Sequence, residues 1–398
     1  MRRPATFRPA MTYHTAPLLF PADRPPIADG YVAFDDEGMV TDIGEELPAG
    51  AKAQEHEGAL VPGFVNAHCH LELSHLRGKV DTGTGLLPFL RGVVTLRDVA
   101  PAEIEAAIRE QDARMYAAGI QAVGDISNAP DTAAVKSESP IQYYSFVEVF
   151  DFLQGGTMAK DVFAKAQATF DALPEPKRYV PHAPYTVSPE LYALLQAANA
   201  PGGTVSIHNQ ETPAEDELFA TKTGGFLDFY RDFNFSLARF EPFGKTSLAA
   251  TLPHLDPARR TLFVHNTQTT PDDLERAEEW SERVYWATCP NANLYIENRL
   301  PRYAEWLEAG VRVCIGTDSL TSNWQLSVLE EMKTIQRYQR FVDTRTLVQW
   351  ATLNGAEALG FDAQLGSLSP GKRPGLVAVS GLDAAGRLTE GSTARRVL

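Results

Sequence analysis

Short runs of apolar, β-branched and aromatic residues recur through the middle of the chain, and segments with helical periodicity separate most of them. The runs are LVPGFVNAHCH (60–70), GIQAVGDIS (119–127), IQYYSFVEVF (141–150), KRYVPHAPY (177–185), TVSIHNQE (204–211), TLFVHNT (261–267), RVYWATCPNAN (283–293) and VRVCIGTDS (311–319). Helical patterns fall between them over 101–119, 188–200, 271–282 and 301–310. Eight short strands with helical spacers predict parallel pairing in an α/β fold, and the roughly 260 residues they span suit a (β/α)8 TIM barrel. A doubly wound open sheet is the competing arrangement. The polar residues favour the barrel, because nearly every run ends in one: His68 and His70, Asp125, Glu148, His182, His208, His265, Asn291 and Asn293, then Asp318. A barrel gathers all its strand ends at one mouth, whereas an open sheet strings them along an edge.

The barrel is expected over residues 59–361. The flanking segments, 1–58 and 362–398, are richer in Pro and Gly and carry short strand-like stretches, GYVAFDDEGMVTDIG (30–44) and GLVAVSGLD (375–383). Neither is long enough to fold alone, so the two ends are expected to combine in one small β-sandwich domain against the barrel.

The composition narrows the partners. With 51 Asp and Glu against 36 Lys and Arg, the net charge of −15 disfavours nucleic acid and anionic membranes and leaves a small-molecule substrate as the expected partner. Three cysteines, Cys69, Cys289 and Cys314, have no CxxC spacing and cannot all pair, which argues against a disulfide framework or a thiolate zinc site. The basic start has no continuous apolar stretch and no run of eighteen apolar residues occurs, so a soluble, cytoplasmic protein is expected.

His68 and His70 stand two apart on a strand, so both side chains project from the same face. In the barrel lumen they can grip one divalent cation. Alone, an HxH pair is weak evidence, but His208, His265 and Asp318 end three other strands, and five such groups at matched ends make coincidence poor. Imidazole and carboxylate ligands suit zinc or ferrous iron, with zinc taken first, and leave room for a bound water. A cation there lowers the pKa of that water, so Asp318 can take its proton while hydroxide attacks an electrophilic carbon. Glu211, three residues past His208, can protonate a ring nitrogen of the substrate. His265 can ligate the metal or hydrogen-bond the attacking oxygen, and spacing alone leaves both roles open.

At these positions the sequence resembles the amidohydrolase superfamily, in particular its cytosine deaminase-like and chlorohydrolase branch. The resemblance is carried by VPGFVNAHCHLELSHLRG (61–78), PHAPYTVSPEL (181–191), SIHNQE (206–211), FVHN (263–266), CPNANLYI (289–296) and GTDSLTSNWQLSVLEEMKTI (316–335). It implies that His68, His70, His208 and Asp318 ligate one metal ion and that Glu211 and His265 handle protons, with Asp318 catalytic as well. Within the branch, HCHLELS and GTDSLTSN look most like aminodeoxyfutalosine deaminases of menaquinone biosynthesis, close to adenosine and S-adenosylhomocysteine deaminases. The resemblance therefore implies hydrolytic loss of ammonia from a 6-aminopurine nucleoside, with Glu72 and His182 as substrate contacts and a homodimer as the assembly. The tail GSLSPGKRPGLVAV (366–379) follows the branch except that Gly375 replaces an acid. Competing expectations are hydrolysis of another C–N or C–Cl bond, in a guanine, triazine or cyclic urea, and a non-catalytic metal-binding scaffold.

Overall fold

A computed structural model describes residues 11–97, 99–242 and 244–398. Residues 1–10, part of the expected small β domain and of the basic start, lie outside the described residues.

Eight parallel strands form two four-stranded sheets. The first runs in the order Lys177–Pro181, Gln142–Val149, Ile120–Ser127, Phe64–Cys69, and the second Thr204–Asn209, Arg260–His265, Val284–Thr288, Val313–Ile315. Both faces are covered, so apolar residues run on without polar alternation. Phe263 packs with Trp286 in one buried cluster, while its neighbours Leu262 and Val264 pack with Ala287 and Cys314 in another. The two sheets meet at two seams. At one, the His208 amide donates to the His182 carbonyl (2.9 Å), and at the other the amides of Thr317 (2.9 Å) and Asp318 (3.1 Å) donate to the His68 carbonyl.

Local chemistry explains where the connecting helices begin. Ser188 caps the helix Pro189–Ala198 by accepting from the Leu191 amide, with proline at the first position. Thr270 and Asp273 form a reciprocal capping box ahead of Pro271–Trp280. The strands are all shorter than their apolar runs, and in two the cause is local. RVYWATCPNAN ends as a strand at Thr288, because Pro290 opens a helix, Pro290–Glu297, that carries Asn291 and Asn293. LVPGFVNAHCH divides at Gly63, where an added Cβ would sit 2.6 Å from the Pro374 carbonyl oxygen. Before that division, Ala59–Pro62 pairs antiparallel with Leu376–Ser380 from the other end of the chain.

The chain ends build two further sheets, one of four strands and one of five. An apolar cluster including Leu19, Val32, Phe34, Leu60, Leu368 and Leu376 draws on both. Gly375, where resembling tails carry an acid, has φ +68°, a left-handed backbone that favours glycine, and an added Cβ would displace the Gln121 side-chain amide. All three cysteines are buried and free. No helix among the described residues is long and apolar enough to cross a membrane.

Candidate active site

The ends of four strands bring five groups together. His70 Nε2 lies 3.2 Å from both His68 Nε2 and His208 Nε2, and Asp318 Oδ1 lies 3.6 Å from His68 Nε2 and 3.4 Å from His70 Nε2. Ligand atoms of His68, His208, His265 and Asp318 also fall within 4.8 Å of one another. Four ligands at ~2.0–2.1 Å from one ion stand ~3.3 Å apart along the edges of a tetrahedron, so the tight set of His68, His70, His208 and Asp318 fits a divalent cation. His265 stands within the same 4.8 Å of His68, His208 and Asp318.

The protonation states agree with this fit. Burial lowers the imidazole of His70 to about 3 and that of His208 well below its ordinary value, which leaves neutral rings with lone pairs to give. Burial alone would raise Asp318, but the hydrogen bond with His68 and the neighbouring His70 and His265 hold it well below the usual carboxylate range. Hydrogen bonds to a backbone carbonyl and to a side-chain amide select the tautomers. His208 Nδ1 donates to the His182 carbonyl (2.8 Å) and His265 Nδ1 to Asn293 Oδ1 (2.9 Å), so each Nε2 is free to face the centre. Ser322 Oγ donates to Asp318 Oδ2 at 2.5 Å, leaving Oδ1 toward the imidazoles. His265 and Asp318 both adopt left-handed backbone, at φ +74° and +58°, a strain typical of strand ends that must aim a side chain.

Glu211 follows the strand Thr204–Asn209 and is pinned by its backbone: its amide donates to Glu215 Oε2 (3.2 Å) and its carbonyl accepts from Thr267 Oγ1 (2.7 Å). Its Oε1 lies 3.7 Å from His265 Nε2. Burial, reinforced by the negative charge of Asp318, pushes this carboxyl well above its ordinary value, which favours its protonated form.

A cavity opens over these groups. His70, His208, Glu211, His265 and Asp318 line it together with His182, Glu148, Asn128 and Arg97, while Leu86, Phe89, Leu90 and Val93 of the helix Leu86–Leu96 and the side chains Phe150, Phe152 and Phe229 supply an apolar wall. His182 turns Nδ1 to Thr186 Oγ1 (2.8 Å) and keeps its other nitrogen for the cavity. Glu72 is not part of the lining. Its Oε2 accepts from the amides of Asn128 (2.9 Å) and Ala129 (3.2 Å), and its Oε1 lies 3.7 Å from Arg97 Nη2. Of the other residues in that loop, His75 sits between the carbonyls of Glu72 and Arg97, and Arg77 donates to the Trp324 carbonyl.

Several functional contacts escape a reading of the sequence alone. Asn293 orients His265, whereas Asn291 turns away to Glu331. Behind the HxH strand, Lys136 and Asp125 form a fully buried ion pair (2.7 Å), and Asp125 Oδ1 accepts from the Leu71 amide (2.8 Å), fixing the turn directly after His70. Lys136→Met would leave a buried carboxylate without its partner. A loss of about 3–5 kcal/mol in unfolding free energy is expected, measured by urea denaturation of metal-loaded protein. A loss below 1 kcal/mol would show that the pair contributes little.

A protein-family model described as the amidohydrolase family matches residues 59–397. An adenosine deaminase of Helicobacter pylori is 28% identical over 338 residues, which cover 82% of this chain and 80% of that protein. An aminodeoxyfutalosine deaminase of Deinococcus radiodurans is 30% identical over 330 residues, covering 77% and 75%. Among solved structures, an adenosine deaminase from Xanthomonas campestris with bound zinc superposes with a TM-score of 0.73 at 25% identity, covering 94% of this chain and 85% of that one.

Proposed function

The chain belongs to the amidohydrolase family, and from that membership we propose that it is a metal-dependent deaminase of a 6-aminopurine nucleoside of the adenosine, aminodeoxyfutalosine or S-adenosylhomocysteine type. One observation carries the proposal: Glu211 and Asp318 line one cavity beside the imidazoles of His70, His208 and His265, where burial pushes the Glu211 carboxyl up and the neighbouring imidazoles hold Asp318 down. An acid and a base placed in this way are what a hydrolytic deamination requires.

His68, His70, His208 and Asp318 would hold the cation, with zinc taken ahead of ferrous iron because imidazole and carboxylate donors suit it and a related adenosine deaminase binds it. Such a cation supplies Lewis acidity that brings a water molecule toward its hydroxide form near neutral pH. The chain's own residues then do the proton work. C6 of an aminopurine is an amidine carbon, weakly electrophilic until N1 gains a proton, and Glu211 delivers that proton. Asp318 accepts one proton of the attacking water and passes it to the amino group, which departs as ammonia, and the remaining proton of the new C6 hydroxyl returns to Glu211, leaving a 6-oxopurine and both carboxyls in their starting forms. His265, fixed by Asn293 and 3.7 Å from Glu211, is read as a hydrogen-bond partner of the attacking oxygen rather than a ligand. His182 is read as a substrate contact, and Glu72 as a group that acts through Asn128.

The eight strands are read as a closed (β/α)8 barrel over residues 59–361, and the end sheets as a β-sandwich from 1–58 and 362–398. Hydrogen bonds at both seams and the shared apolar cluster support this reading.

Zinc-loaded protein is expected to release one ammonia per nucleoside and form the corresponding hypoxanthine nucleoside when incubated with adenosine, 5′-methylthioadenosine, S-adenosylhomocysteine or aminodeoxyfutalosine. Ammonia from guanine alone, or chloride from a chlorotriazine, would replace the proposal with one of the competing hydrolyses.

A further inference from the structure

Glu148 ends the strand Gln142–Val149 and lines the cavity next to His182 and His208. Its side chain is 3% exposed. One oxygen, Oε2, accepts from Asn128 Nδ2 at 3.0 Å, but Oε1 has no hydrogen-bond donor. It stands 3.4 Å from His208 Nδ1, whose hydrogen already goes to the His182 carbonyl at 2.8 Å. A buried carboxylate oxygen without a donor is costly, and beside a substrate cavity it marks the point where a donor arrives from outside the protein. Glu148, His182 and His208 could be taken for a second cation site, since their ligand atoms lie within 4.8 Å of one another. That leaves too few ligands, because His208 has one nitrogen in the first cluster and the other on a carbonyl.

Asn128 shows what the arrangement is built for. Its amide holds Glu72 Oε2 and its side chain holds Glu148 Oε2, so one residue fixes two carboxyl groups; Oε1 of Glu72 lies by Arg97, whereas Glu148, which lines the cavity, leaves Oε1 without a hydrogen-bond donor. A 6-aminopurine ring carries only one donor group, the amino group that departs, whereas the sugar of a nucleoside carries hydroxyls. We propose that Glu148 is a specificity residue that accepts a hydrogen bond from a sugar hydroxyl of the substrate. This rests on the deaminase reading above. It also selects against a phosphate at that point of the sugar, which would meet a buried carboxylate.

The test compares kcat/KM for adenosine and 2′,3′-dideoxyadenosine, or, where another screened nucleoside reacts faster, for that nucleoside and its 2′,3′-dideoxy analogue. Wild type, Glu148→Gln and Glu148→Leu are measured, with the metal content of each. Wild type should prefer the hydroxylated substrate, and Glu148→Leu should lower that preference about 10- to 100-fold, chiefly by slowing the hydroxylated substrate. Glu148→Gln, which keeps an acceptor oxygen, should retain part of it, and metal content should stay level. An unchanged preference in Glu148→Leu, or an equal loss on both substrates with loss of metal, would overturn the proposal and make Glu148 a support for His208. A wild-type protein that turns over no purine nucleoside would overturn the deaminase reading, and this inference with it.

Discussion

Glu211→Gln should lower kcat by about 10²- to 10⁴-fold while one equivalent of metal stays bound, because positioned acid–base catalysis is worth that much and the amide keeps the size and hydrogen bonds of the acid without its transferable proton. The site is suited to this separation. Glu211 stands outside the tight set of His68, His70, His208 and Asp318, and its position is fixed by its own backbone bonds to Glu215 and Thr267, which the substitution does not touch. The same experiment has a pH signature. The working form of Glu211 is the protonated one, and burial raises its pKa above the ordinary carboxyl value, so wild-type kcat/KM should be sustained at neutral pH and fall as pH climbs through that raised value. In Glu211→Gln this alkaline limb should disappear. Full activity in Glu211→Gln, or an unaltered alkaline limb, would falsify the assignment of Glu211 as the acid.

What could be read in advance followed from how local each signal is. His68 and His70 were legible because strand geometry puts residues two apart on one face, and His208, His265 and Asp318 because each ends an apolar run. Asn293 was not, since periodicity does not reveal that Pro290 turns the end of the seventh run into a helix that swings Asn293 back to His265. The contacts made by Glu148, Asp125 and Arg97 join positions far apart in the chain: Glu148 meets His208, Asp125 holds Leu71, and Arg97 approaches Glu72. No spacing rule can pair them before the strands are in place. The helix Leu86–Leu96 escaped for another reason. LLPFLRGVVTL carries Pro88, Gly92 and the β-branched run Val93-Val94-Thr95, residues that weaken any helix expectation. It forms because one of its faces, with Leu86, Phe89, Leu90 and Val93, packs over the cavity. The small β domain was legible as two incomplete ends, but its strand Ala59–Pro62 lay hidden inside a longer apolar run until Gly63 divided it.

Asp318→Asn should be the most damaging single exchange, with turnover down by at least about 10⁴-fold and the metal largely lost, because one carboxylate serves as both ligand and proton acceptor. The fold itself should survive. Asparagine tolerates the left-handed backbone at φ +58° better than most residues, and its amide can still pair with the Ser322 hydroxyl. The chemistry should not survive, for a reason visible in the charges around the site. His70 and His208 are held neutral by burial, so the ionised Asp318 is the only anion in the tight four-ligand set that can offset a divalent charge, and Glu211, whose protonated form burial favours, does not replace it. Metal analysis, thermal unfolding and ammonia release on the same preparation separate the possibilities. Near-normal unfolding with little metal and no ammonia is the expected pattern, and adding excess zinc should restore metal binding far more than turnover, because asparagine still cannot accept the proton of the attacking water. Turnover within tenfold of wild type after zinc addition would mean that Asp318 is only a ligand, and that the base lies elsewhere among the groups lining the cavity.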